Sequence, residues 1–186
     1  MDITRHDALL RRGDTLLLAI DLQDTFLKVI HDADRVVNNG RLLIQSAQIL
    51  HVPIIATTQN AARLGAVDAR ISALFTSAVI DKMTFSAAST PAVAAALEAT
   101  GRKQVIICGV ETHICIAQTA MDLVASGFQV HVVADAVSAR SMEKHKLGME
   151  RIRDAGVLPI ASEAAVYELL GEAGTPEFRQ ILPLVK

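Results

Sequence analysis

The chain alternates short, continuous apolar runs with longer stretches in which apolar residues recur at helical spacing. Thr15-Leu-Leu-Leu-Ala-Ile-Asp21 is apolar until its closing carboxylate, the pattern of a strand covered on both faces. Pro53-Ile-Ile-Ala-Thr-Thr58 is a second strand, its proline confined to the first residue. Gln104-Val-Ile-Ile-Cys108 is a third, Gln129–Ala134 and Val157–Ile160 read as further strands, and Ala78-Val-Ile80 as a short edge strand. Among the helical stretches, Arg41–Leu50 places Leu42, Leu43, Ala47 and Leu50 on one stripe. Asn38-Asn39-Gly40 before it reads as a turn as readily as a helical segment. The helix from Pro91 to Thr100 is the best marked: Thr90 suits the N-cap, Pro91 the first helical position, and Gly101 the residue just past the end. His113–Ser126, Met142–Ala155, Glu163–Leu170 and Pro176–Leu184 complete the helices, and Gln59–Ser77 has no clear period.

Strand–helix units repeated at this length predict parallel strands joined by right-handed crossovers, with helices on both faces. The expected fold is therefore α/β, a three-layer α/β/α, Rossmann-like, doubly wound, mostly parallel sheet in a single domain spanning 1–186. Ligands of such sheets sit beyond the carboxyl ends of the strands. That geometry selects Asp21, Gln23, Asp24, Gln59, Asn60, Gly109 through Cys115, and Asp135 as positions near a site.

Composition narrows the class. Apolar residues make up 51% and charged residues 20% of 186, and mean hydropathy is +0.36, which suits a well-cored globular chain. Eighteen basic residues against twenty acidic ones leave no charge excess to draw in phosphate backbones or anionic lipid. Aromatics are 3%, with no Trp, so a base-stacking platform is not expected either. A nucleic-acid partner is thus not expected from composition. The first apolar run, Leu16–Ile20, is far shorter than a membrane span or signal segment, so no membrane partner is expected. Two cysteines, Cys108 and Cys115, form no disulfide framework and suit a cytoplasmic protein with reduced thiols.

Cys115 falls at the start of a predicted helix. There the macrodipole and unpaired N–H groups favour a thiolate, and the same N–H groups can hold an oxyanion. Position alone leaves it open whether Cys115 is a nucleophile or a small buried apolar residue. Cys108, inside an apolar strand, reads as core. Asp21 ends an apolar strand where a charge must be satisfied by donors, an ion pair or a catalytic partner. Lys82, in Asp81-Lys-Met-Thr-Phe85-Ser86, reads by itself as an ordinary solvated lysine. His113 is two residues from Cys115 and faces elsewhere on a helix, and no histidine or cysteine pair has metal-ligand spacing. No glycine-rich phosphate loop is present.

Three segments taken together resemble the isochorismatase-like cysteine hydrolase family: Ala19-Ile-Asp21-Leu-Gln-Asp24-Thr-Phe26, Asp81-Lys82-Met-Thr-Phe85-Ser86, and Cys108-Gly-Val110-Glu111-Thr-His-Ile114-Cys115. The resemblance runs from about Asp14 to Ala161, and the tail Pro176–Leu184 adds a likeness to the family's small hydrolases of unassigned substrate. It implies a triad of Asp21, Lys82 and Cys115, in which Asp21 takes the thiol proton, Lys82 supports negative charge and Cys115 attacks a carbonyl carbon. It further implies an oxyanion hole from the backbone N–H groups of Ile114 and Cys115, and a cis peptide at Val110–Glu111. Phe26, Gln59, Phe85 and Glu111 are pocket candidates, with core or surface roles open for each.

Isochorismatases proper lack the cysteine, so the expected substrate is a small molecule with a C–N bond: an amide, carbamoyl or ureido compound. Ester or vinyl-ether hydrolysis, or a non-catalytic binding scaffold, are the alternatives. Nicotinamidases of the family hold a metal through histidines after the second strand. Here Thr58-Gln59-Asn60-Ala-Ala-Arg63-Leu-Gly65 has none, so no metal or other cofactor is implied. Members commonly form homo-oligomers, dimers or larger.

Overall fold

Each apolar run becomes a strand because its backbone groups pair with neighbours while its side chains enter apolar layers on both faces. In the computed structural model, which describes residues 4–186, the strands are β1 (Thr15–Ile20), β2 (Ile54–Gln59), β3 (Ile80–Lys82), β4 (Gln104–Val110), β5 (Gln129–Ser138) and β6 (Leu158–Ile160). The helices are α1 (Asp24–Leu27), α2 (Ala33–Ile49), α3 (Ala61–Leu64), α4 (Pro91–Thr100), α5 (Ala117–Ala125), α6 (Met142–Asp154), α7 (Ser162–Leu170) and α8 (Pro176–Val185). The strands form one sheet in the order β3-β2-β1-β4-β5-β6, and every pair is parallel. The sheet is therefore wholly parallel among the described residues, where the sequence pattern predicts it mostly so.

Alternation along β1 sorts the core. Leu17 and Ala19 join α2, α7 and α8 in one apolar cluster, while Leu16, Leu18 and Ile20 join α4, α5 and α6 in the other. The winding direction reverses between β1 and β4, so a crevice opens beyond their carboxyl ends. Gly109 makes the close approach there possible: a Cβ on it would lie 1.9 Å from the Ile20 carbonyl oxygen, and its φ of +124° is open to glycine.

Several boundaries differ from the sequence reading. Helix α2 begins at Ala33 rather than Arg41, and Asn38-Asn39-Gly40 lies within it. Asn39 Nδ2 donates to the Asp135 carbonyl at 2.7 Å, a tertiary contact that outweighs the local turn preference. The edge strand lies at Ile80–Lys82, two residues beyond the apolar Ala78–Ile80 run, because Thr57, Thr58 and Gln59 of β2 set its register. Thr90 does cap the position before α4, but its hydroxyl bonds Thr84 Oγ1 at 2.7 Å instead of a helix N–H.

A polar network closes the amino ends of β1, β4 and β5. Gln104 Nε2 donates to Gln129 Oε1 at 3.1 Å, and Gln129 Nε2 donates to the Asp7 carbonyl at 2.8 Å, which fixes the orientation of the Gln129 amide. Its N–H side therefore faces His131 Nε2 at 3.2 Å, so that nitrogen must accept and the ring stays neutral. Burial pushes the His131 imidazole down to about 4. The unfolded chain takes this proton below the ordinary value of about 6.5, the folded one only near 4, so stability present above 6.5 is lost as pH falls between them. The expected loss is about 3 kcal/mol. Urea unfolding at either end of that window tests it: the His131→Gln variant should lose correspondingly less stability on acidification than the parent chain, and an equal loss excludes His131 as the source.

Candidate active site

Asp21 follows directly on β1 and takes a left-handed conformation, φ 53°, which aspartate tolerates better than most residues. Its N–H donates to the Thr57 carbonyl at 3.1 Å, and Oδ1 accepts from the Thr57 hydroxyl at 2.8 Å. Oδ2 accepts from Lys82 Nζ at 2.7 Å. Both partners of this ion pair are wholly buried, 0% and 1% exposed at the side chain, so Lys82 is no solvated lysine. As the last residue of β3 it crosses the end of β2 to reach Asp21. Gln59 supports it midway, Oε1 accepting from Nζ at 2.6 Å while Nε2 donates to the Met83 carbonyl at 3.0 Å. The Thr84 carbonyl at 3.2 Å takes the third ammonium proton. Cys115 Sγ lies 3.8 Å from the same nitrogen.

Cys115 is carried by a π-turn, Thr112–Ile116, that leads into α5. Such turns are uncommon and concentrate at functional sites. The preceding Val110–Glu111 peptide is cis. The Glu111 carbonyl accepts from the N–H of Ile114 at 3.0 Å and of Ile116 at 3.3 Å. Ile114 N–H, expected to be free for an oxyanion, is therefore engaged by a carbonyl in this structure. The Glu111 side chain is buried and clamped by Arg140, whose N, Nε and Nη2 all donate to it at 2.8 to 3.1 Å. Burial acts to raise the Glu111 carboxyl, but these bonds and the Arg140 charge outweigh it and hold it below the ordinary value. Helix α6 packs against the turn through Gly148, where a Cβ would meet His113 Cα and N at 2.9 Å, and His145 Nδ1 lies 2.9 Å from Thr112 Oγ1.

The electrostatics of the sulfur reverse the expectation drawn from its place at a helix start. Burial, then the Asp21 charge, push the Cys115 thiol up to about 12, reinforced by a hydrogen bond to Asp21 and by Glu111, with Lys82 alone opposing. The resting group is a neutral thiol beside a carboxylate. Cys108, wholly buried in β4, is pushed by burial alone up to about 12.

Of the residues selected from sequence, the structure gathers Asp21, Lys82, Gln59 and Cys115, with Glu111 just behind. Phe26 is half-buried against the apolar cluster of α2, and Phe85 is 57% exposed. Asp24 is exposed and pairs with Lys28, and Asp135 caps Ser162 at the start of α7. His113 is half-buried, and its Nδ1 has no partner among the described residues. Sequence reasoning missed Thr57, the Thr84 carbonyl and Arg140. Thr57 was within reach, since parallel pairing of β1 with β2 sets it opposite Ile20, next to Asp21.

Comparison with known proteins identifies the family. Residues 15–164 match the isochorismatase domain model. The secreted isochorismatase effector Isc1 of Phytophthora sojae is 36% identical over 178 residues, covering 92% of this chain and 84% of its own. The structure of the MAR1 ribonuclease of Caenorhabditis elegans superposes with a TM-score of 0.89 at 31% identity, covering 95% of this chain and 92% of its own. The YcaC gene product of Escherichia coli, described as an octameric hydrolase of unknown specificity, gives 0.87 at 27% identity, with 98% and 89% covered.

Proposed function

The chain belongs to the isochorismatase family of hydrolases, and on that premise we propose that it hydrolyses a C–N bond of a small amide, carbamoyl or ureido compound through a thioester on Cys115. The observation that carries this reading is the buried cluster itself: a thiol, a carboxylate and an ammonium in mutual contact at the switch point of the sheet. Asp21 takes the Sγ proton as sulfur attacks the carbonyl carbon. The transfer turns the group that most opposes a thiolate by its charge into a neutral acid and leaves the Lys82 ammonium facing the sulfur, so the net charge of the cluster is unchanged. Lys82 has an N–H to offer the new anion, because its bond to Thr84 is the longest of the three. The tetrahedral oxyanion is held by Cys115 N–H, with Ile114 N–H shared with the Glu111 carbonyl. As the C–N bond breaks, Asp21 returns the proton to the leaving nitrogen. Water then attacks the thioester, its proton passing to the sulfur through Asp21, and the acid departs.

Phosphodiester cleavage, the activity in the name of the nematode relative, is the competing reading. The charges of the two cations of the site are balanced by carboxylates, Lys82 by Asp21 and Arg140 by Glu111, so no net positive charge awaits a phosphate and an acyl substrate is favoured. Among the described residues no helix is long and apolar enough to cross a membrane. A small-molecule partner and a homo-oligomer fit this reading, the latter supported by the octameric bacterial neighbour.

The test is to trap the intermediate. The chain is mixed with a panel of small neutral amides, and separately with 4-nitrophenyl acetate as a generic acyl donor, quenched in acid and mapped by peptide mass. The Cys115 peptide should gain the acyl mass, and the Cys115→Ala variant should carry none. Absence of an acyl adduct on Cys115 from every donor, with nitrophenolate released equally by Cys115→Ala, overturns the mechanism and leaves hydrolysis of an ester or vinyl-ether bond without a thioester, or a scaffold role.

A further inference from the structure

Thr57 stands out because it holds Asp21 at two points. Its carbonyl accepts the Asp21 N–H at 3.1 Å, fixing the left-handed backbone, and its hydroxyl donates to Oδ1 at 2.8 Å, fixing the plane of the carboxylate. A carboxylate only accepts, so the direction of the hydroxyl bond is settled. Thr57 is 1% exposed, in a strand whose neighbours Ile55 and Ala56 are apolar, and valine would fill the same space without bringing a hydroxyl into the interior. Lys82 occupies the other oxygen at 2.7 Å, so the carboxylate is gripped from β2 on one side and β3 on the other. The titratable groups facing Asp21 are Lys82 and the Cys115 thiol; Glu111, which also bears on the sulfur, is paired with Arg140.

From this two-point attachment we infer that Thr57 is a positioning residue for the catalytic base: its hydroxyl aims the Asp21 carboxylate at the Cys115 thiol. The inference rests on the Asp21–Cys115 reading above. Loss of the hydroxyl has a definite sign. A carboxylate free to rotate presents its lone pair to the thiol for less of the time, which lowers the acylation rate without changing how the acyl donor binds.

The experiment follows acylation of the full chain by 4-nitrophenyl acetate as a function of donor concentration, in Thr57→Val and Thr57→Ser, with thermal melting recorded for each. Thr57→Val is expected to lower the limiting rate about tenfold, with KM nearly constant. Thr57→Ser, which keeps the hydroxyl, is expected to restore the rate. Thr57→Ala gives the same comparison where the valine variant does not fold. A limiting rate unchanged in Thr57→Val, or a serine variant that behaves like the valine one, overturns the inference while an acyl group on Cys115 leaves the hydrolase reading intact. Nitrophenolate release unchanged in Cys115→Ala fails the hydrolase reading, and this inference with it.

Discussion

Replacing Asp21 by Asn is expected to quicken the alkylation of Cys115 and to abolish amide hydrolysis in the same molecule. The two effects have opposite sign because the carboxylate does two things to the sulfur. At rest its charge, after burial, is what most raises the thiol, to about 12. Asparagine removes that charge and leaves the Lys82 ammonium, 3.8 Å from Sγ, as the nearest ion, so a thiolate–ammonium pair becomes the favoured state. The iodoacetamide rate at about pH 8 should rise about tenfold or more, since each unit by which the thiol falls multiplies the thiolate fraction by about ten. Amide cleavage needs a proton for the leaving nitrogen, which asparagine neither takes from the thiol nor delivers. General acid–base catalysis contributes roughly 10²–10⁴-fold, so the hydrolysis of any amide that acylates the parent chain should fall by about 10³. Peptide mass mapping separates Cys115 from Cys108, which serves as an unreactive internal reference. Slower alkylation in Asp21→Asn shows that the carboxylate supports the thiolate at rest, and retained amide turnover removes Asp21 from the proton path.

The same reversal marks where the sequence was informative. Continuous apolar runs located β1, β2, β4 and β5, because strands covered on both faces need little else, and the short edge strand β6 as well. Thr90-Pro91 and Gly101 located α4, because capping chemistry is local. Helix α2 was found only in part, since Asn38-Asn39-Gly40 is stabilised as helix by a contact with Asp135 nearly a hundred residues away. Asp21 and Cys115 were reachable from topology alone, as polar residues just past strands. Lys82 was not: its burial depends on β3 pairing with β2 and on acceptors from Asp21, Gln59 and Thr84, and only the family resemblance singled it out. The state of the sulfur was read wrongly from its place at a helix start. A helix terminus offers at most partial charges, and here a π-turn precedes the helix while a full carboxylate stands beside the thiol. Which charges face a side chain is a property of the assembled crevice.

The ion pair beneath the site also bears on the fold. Lys82→Met keeps the length and apolar stem of the side chain but leaves the Asp21 carboxylate buried with only the Thr57 hydroxyl and the Cys115 thiol as side-chain donors. Breaking a wholly buried pair from one side costs about 3–5 kcal/mol, most of it from the uncompensated charge rather than from lost attraction. At roughly 2–4 °C per kcal/mol for a chain of this size, the melting temperature should drop by about 10 °C. The double variant Asp21→Asn/Lys82→Met removes both charges. It should recover at least about 2 kcal/mol relative to the sum of the two single changes, because neither partner is then left buried and unpaired. Urea unfolding of the parent, both singles and the double closes the cycle, and additive losses indicate that the pair contributes no coupling. Cys115 reports on the same variants: without the ammonium nothing offsets the Asp21 charge, so Lys82→Met should slow alkylation below the parent rate, whereas Asp21→Asn speeds it. Under the proposed mechanism the pair serves the chemistry rather than the fold: with Asp21 as the base, a fixed cation beside the sulfur helps a buried thiol give up its proton.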